Sequence, residues 1–193
     1  VLLAVAVTTV APDVGTLPVL AAAFGGLFPD LDLYAGHRKT LHFPVYYSAG
    51  AVLAGAGAAV VPTSLTVAVA LFLAAAALHS VMDAAGGGLE LKPWLGTSDR
   101  AVYSHFHGRW VAPRRWVRYD GAPEDLVLAV WFAVPSILVL DGTLERVVWL
   151  ALAVSVVYVL LRKPLVTIAE RLVAALPTSV VHRLPERFVR DFQ

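Results

Sequence analysis

The chain has no cysteine, and only 15% of its 193 residues are charged. The first absence excludes disulfides, cysteine-type zinc sites and a thiol nucleophile. Any metal must then be held by His, Asp, Glu or backbone oxygen, which favours zinc, manganese, iron or magnesium over metals that prefer sulfur. The second falls well below the quarter or so usual in soluble domains. With 59% apolar side chains it points to a membrane protein. There is no linker long enough to divide two domains and no evident internal repeat, so one domain is expected. The net charge of +1 excludes little, because in a membrane chain the distribution of charge matters more than its sum. No nucleic-acid partner is expected.

What is present is a series of apolar runs. Val1 to Val10 reads as the remainder of a helix, and Pro12 to Gly15 as a turn. Leu17 to Phe28 follows as a short helix whose Gly25-Gly26 pair permits close helix contact. Thr40 is expected to cap the next helix, with Pro44 in its first turn and a span over Val45 to Val61. Leu65 to Val81 returns. Residues 84–125 then form a loop of roughly forty residues, with Trp94, Trp110, Trp116 and Tyr119 either at the headgroup level or packing the loop on the helices. Leu126 to Leu140 and Val147 to Leu161 are two further spans, joined by the turn Asp141 to Thr143. The expected fold is therefore an all-α, polytopic membrane helical bundle of about five to six apolar helices. Residues 1–161 form the membrane domain, and 162–193 form a basic amphipathic tail that either meets anionic lipid or is solvated. If the spans alternate direction, every Lys and Arg except Arg146 lies on the side carrying the polar clusters. That side, and the loop, would face the cytoplasm of a multi-pass protein of the inner (plasma) membrane.

Two polar clusters interrupt the apolar pattern. Asp30, Asp32, His37 and His42 fall within thirteen residues, and His79 and Asp83 lie four apart at the end of the following span. Polar groups beside membrane-length runs are costly unless they do chemistry or pair. On a helix His79 and Asp83 share a face. Asp30 and Asp32 can both turn to one centre in a loop after Pro29. His37 and His42 would stand about 140° apart on an ideal helix, so they converge only across a bend. Gly36 and Thr40 supply one. Asp30, Asp32, His37, His42, His79 and Asp83 make six potential metal ligands, enough for one or two divalent ions, with zinc or manganese expected. One ion would activate water; two would also stabilise attacking and leaving oxygens in phosphoester hydrolysis. Arg38 and Lys39 either contact phosphate or only satisfy the charge topology. His105 and His107, spaced like strand neighbours on one face, add a ligand, bind substrate or serve the loop. Arg109, Arg114, Arg115 and Arg118 offer a basic run for headgroups, and His182 reads as structural or exposed.

These motifs resemble those of the prokaryotic inner-membrane metal-dependent hydrolases of the YdjM type. That family shares Pro-Asp-x-Asp, then His-Arg-x-x-Thr before a membrane helix, then His-x-x-x-Asp on the next. Here they read Pro29-Asp30-Leu31-Asp32, His37-Arg38-Lys39-Thr40-Leu41-His42 and His79-Ser80-Val81-Met82-Asp83. Lys92-Pro93-Trp94 and Ala122-Pro123-Glu124-Asp125 also look like family positions, so the resemblance spans Leu17 to Leu140. Many members have Thr-His-Ser where this chain has Thr40-Leu41-His42, a shift of one residue in the histidine. The resemblance implies a metal-dependent hydrolase. The activity expected is cleavage of a phosphoester of a membrane lipid or lipid-linked compound, with Asp30, His37, Arg38, His79 and Asp83 catalytic. A metal-ion transporter and a non-catalytic metal-binding membrane protein are the alternatives. Lipid phosphatases that form a phosphohistidine are excluded, since position 73 is Leu rather than Arg and Ser-Gly-His is absent. No Gly-x-Ser-x-Gly is present for a serine hydrolase.

Overall fold

The computed structural model describes residues 15–177. The expected helix remnant at 1–10, most of the turn after it, the end of the tail and His182 lie outside them. In order come α1 (Leu17–Leu27), a 3-10 turn (Pro29–Asp32), α2 (Pro44–Val60) and α3 (Ser64–Ala85). A second 3-10 turn (Pro93–Leu95), strands β1 (Val102–Ser104) and β2 (Arg109–Val111), α4 (Pro123–Val139) and α5 (Gly142–Ala175) follow. The described chain is mostly helical, as expected. Its only sheet among these residues is the antiparallel hairpin pairing Val102 with Val111 and Ser104 with Arg109. His105 and His107 therefore sit in the hairpin's turn rather than side by side on a strand.

Local chemistry sets the helix ends. Pro18 occupies the first turn of α1, where its missing N–H costs nothing, and Pro29 opens the turn that follows. Pro44 likewise starts α2, but the residue before the helix is Phe43, without a side-chain cap. Thr40 does not cap it; its hydroxyl donates to the Ala35 carbonyl instead. Residues 41 and 42 stay outside the helix because Leu41 N–H and the His42 ring both bond to Asp32. α3 starts with a reciprocal capping box, in which Thr63 Oγ1 accepts from Thr66 N–H at 3.2 Å and Thr66 Oγ1 accepts from Thr63 N–H at 3.0 Å.

α1 and α2 both pack on α3, and α4 packs on α5. The α1–α3 approach is so close that a Cβ on Gly25 would run into the Phe72 carbonyl. Phe24, Phe28 and Phe72 gather beside that contact with ring centroids 5.4 to 5.9 Å apart. Val19, Ala22, Ala58, Val67 and Leu71 form the buried apolar cluster. The polar site lies at the end of this three-helix unit, where α1 runs into its 3-10 turn and α3 finishes.

Among the described residues, two helices are long and apolar enough to cross a membrane: α3, with 22 residues and a most apolar 18-residue stretch of mean hydropathy 2.1, and α5, with 34 residues and a corresponding value of 2.0. The other three have 11, 17 and 17 residues, below the ~20 a crossing needs. α5 also differs from expectation at its far end. Rather than stopping at Leu161 it continues through Arg162 and Pro164 to Ala175. Its later turns are held against the loop, which offsets the backbone bond that Pro164 cannot make. Lys92 pairs with Glu170 at 2.5 Å, Arg162 donates to the Leu91 carbonyl at 3.4 Å, and Lys163 lies 5.4 Å from the ring centroids of both Trp94 and Tyr119.

Candidate metal centre

The first polar stretch folds round one carboxylate. Asp32, wholly buried, accepts from Leu41 N–H at 2.9 Å and from Arg38 N–H at 3.3 Å. It also meets the Nδ1 atoms of His42 at 3.0 Å and His37 at 3.3 Å. Burial pushes its pKa up, but the Leu41 amide and the two imidazoles outweigh that and hold it below the usual carboxylate value. Asp32 thereby supplies the bend that brings His37 and His42 to one place, their rings 5.8 Å apart.

The second half arrives on α3. His79 Nδ1 lies 2.7 Å from the carbonyl oxygen of Gly26, in the last turn of α1, where carbonyls have no intrahelical partner. A carbonyl only accepts, so Nδ1 carries a ring proton and Nε2 is the atom turned toward the acids. His42 has the same arrangement, its Nδ1–H directed at the Asp32 carboxylate. A neutral ring proton committed to a carboxylate or carbonyl is the outer support typical of metal-ligating histidines.

Both Nε2 atoms face carboxylate oxygens. His79 Nε2 is 3.3 Å from Asp30 Oδ1 and 4.0 Å from Asp83 Oδ2; His42 Nε2 is 3.8 Å and 3.1 Å from the same two atoms. Donor atoms of Asp30, His42 and His79 all lie within 4.8 Å of one another, and this trio could hold a metal ion. Asp83 adjoins both histidines without completing a mutually close set of four. Two ligands ~2.1 Å from one ion stand about 3.0 Å apart at a right angle and about 3.4 Å apart at the tetrahedral angle, so the shorter contacts fit shared ligation. His42 Nε2 and Asp83 Oδ2 are both sealed from solvent, and neither has a hydrogen bond. Although 3.1 Å apart, they do not meet in hydrogen-bonding geometry.

Asp30 is half exposed and forms the open side of the cluster. Burial raises its pKa, but the His79 hydrogen bond and the charges of His79, His37 and His42 pull it below the ordinary value. His37 stands beside it, 4.0 Å away and 30% exposed, outside the closest trio. Arg38, 4% exposed, turns its guanidinium inward: Nη1 donates to the Gly87 carbonyl at 2.9 Å, Nη2 to Asp120 at 2.6 Å, and Nε lies 3.5 Å from Asp83. Burial lowers its pKa, yet Asp120 and Asp83 outweigh this and raise it. His105 points Nε2 at the Lys39 carbonyl, 2.7 Å away, and His107 pairs with Ser104 at 2.8 Å; neither joins the cluster. Of the basic run, Arg115 donates to the carbonyls of Gly96 and Ser98, and Arg118 forks onto Glu124 at 2.6 and 2.9 Å.

All six residues expected as ligands thus come together, with Asp30, His42 and His79 nearest one another and Asp32 behind the histidines. Asp120 and the carbonyls of Gly26 and Gly87 were not foreseen. A turn-forming Asp120-Gly121 carries no sign that it meets an arginine 82 residues earlier, and carbonyls carry no sequence signature at all. Comparison of the chain with protein-family models, with curated proteins and with solved structures found no match in any of the three.

Proposed function

We propose that the chain is an integral-membrane, metal-dependent hydrolase, resembling the YdjM type, that cleaves a phosphoester of a lipid or lipid-linked substrate at the cytoplasmic face. The observation that carries this reading is the confrontation of His42 Nε2 with Asp83 Oδ2, two polar atoms buried 3.1 Å apart without a hydrogen bond. Such groups are expensive to leave unmatched. A divalent cation, zinc or manganese, would satisfy both. Asp30, His42 and His79 would hold it, with Asp83 adjoining. Bound there, the ion supplies Lewis-acid polarisation of a phosphoryl oxygen and a nucleophilic water at neutral pH.

The chain's own residues have separate tasks. Asp32 and the Gly26 carbonyl orient the two imidazoles and fix their protons on Nδ1. Asp30 and His37, the exposed members, border the side from which substrate arrives and stand where a proton must be moved. Leu31, Leu33 and Tyr34, which follow Asp30 in the chain and are each more than half exposed, offer apolar surface suited to a lipid headgroup plane. The two long apolar helices, the shorter α2 and α4 as further crossings once flanking residues are included, and the one-sided Lys and Arg distribution support the multi-pass cytoplasmic orientation.

The test is metal content and turnover of the purified protein. Wild type is expected to retain a divalent ion and release phosphorylated headgroup from phospholipid vesicles; Asp83→Ala and His42→Ala are expected to lose both properties. Wild-type protein that takes up neither zinc nor manganese would overturn the proposal.

A further inference from the structure

We propose that Asp120 is a positioning residue of this centre: it holds the Arg38 guanidinium away from full pairing with Asp83 and so leaves Asp83 Oδ2 directed at the cluster. The inference rests on the metal reading above and adds to it a residue from the far end of the 86–122 connection.

Arg38 is buried and fixed from several sides. Its φ of 58° is left-handed, uncommon for a residue with a side chain. Its N–H is held by Asp32 and its carbonyl accepts from Tyr103 N–H at 2.9 Å. The guanidinium sits between two carboxylates and divides itself unequally: 2.6 Å to Asp120, 3.5 Å to Asp83. A buried guanidinium beside a single carboxylate takes a two-point pairing with it. Without Asp120, Asp83 is the acid within reach. That pairing would draw its oxygens from His42 Nε2, now 3.1 Å away. The charge of Arg38 therefore supports the site only while a second acid shares it.

The placement of Asp120 is itself enforced. Gly121, at a φ of 83°, donates its N–H to Asp125 at 2.9 Å. It lies under the Tyr158 ring of α5, where an added Cβ would come within 2.8 Å of the ring. The turn that carries Asp120 is thus clamped between α4 and α5.

The test is calorimetric titration of zinc and of manganese into the full chain in detergent, with melting of the metal-free protein as a folding control. Asp120→Asn is expected to weaken metal binding about 10- to 100-fold, as loss of a group supporting a ligand does. Asp120→Glu is expected to restore most of it. The double variant Arg38→Gln with Asp120→Asn should bind metal more tightly than Asp120→Asn alone, because no guanidinium remains to capture Asp83; a merely structural role makes the double variant the worse one. Wild-type affinity in Asp120→Asn, or a double variant no tighter than the single, overturns the inference alone. No metal uptake by wild type overturns the metal reading and the inference with it.

Discussion

A carboxylate that solvent does not reach, Asp32, organises the loop that presents His37 and His42. Its pKa is held below the ordinary value of about 3.9. The stabilisation is complete above the ordinary pKa and is lost as pH falls through the lower folded value. Asp32→Asn is expected to cost about 1–3 kcal/mol at neutral pH, the penalty for buried donors left without a partner. Melting curves of the metal-free protein should show the gap between wild type and variant narrowing as the medium is acidified below pH ~4. A gap independent of pH would mean that the charge of Asp32 is unimportant. Much at this scale was legible in the sequence. His79 and Asp83 could be paired from helical spacing, and Asp30 to His42 from their density in an apolar chain. The division of labour was not, because whether a carboxylate faces the centre or stands behind a histidine depends on backbone turns of single residues.

Among the elements, α1 matters to the site out of proportion to its 11 residues. It delivers the Gly26 carbonyl to His79, and can do so only because Gly25 lets it lie against the backbone of α3 at Phe72. Gly25→Val is expected to lower stability by about 1–3 kcal/mol through overpacking. It should also weaken metal binding, since His79 would lose the acceptor that fixes its tautomer. Calorimetry on the folded variant separates the two effects: reduced melting temperature with unchanged metal affinity would show that α1 is structural only. The small-residue pair was readable as a helix contact. The cap of α2 was misread, because Thr40 has the right chemistry but Asp32 keeps residues 41 and 42 out of the helix. The end of α5 was missed for a similar reason. Arg162, Lys163 and Pro164 look like a boundary, yet the partners that hold them in a helix lie some seventy residues earlier.

For the whole molecule, the absence of cysteine becomes an experimental asset. Tyr34→Cys, beside the cluster, and Pro62→Cys, in the α2–α3 turn, are both at exposed positions. If the proposed orientation holds, a membrane-impermeant maleimide will label position 62 in intact cells and position 34 only after permeabilisation. Equal labelling of both would rule it out. Composition and apolar runs made the helical class and the two helices long enough to cross a membrane readable, whereas the number of crossings was not, since α2 and α4, at 17 residues each, fall short of the ~20 a crossing needs. The docked end of α5 has a mechanical consequence. At 1.5 Å per residue, Gly142 to Leu161 measures about 30 Å, the thickness of a bilayer's hydrocarbon core. Arg162 and Lys163 then hold the next turn to the Leu91–Trp94 stretch. If α5 crosses the bilayer as proposed, these contacts oppose its sliding in a thicker or thinner one, so that it would adapt by tilting, and tilting bears on Gly121 through Tyr158. Reconstitution in vesicles of graded acyl length should therefore give an activity optimum at one hydrophobic thickness, making the protein a gauge of the bilayer that surrounds it.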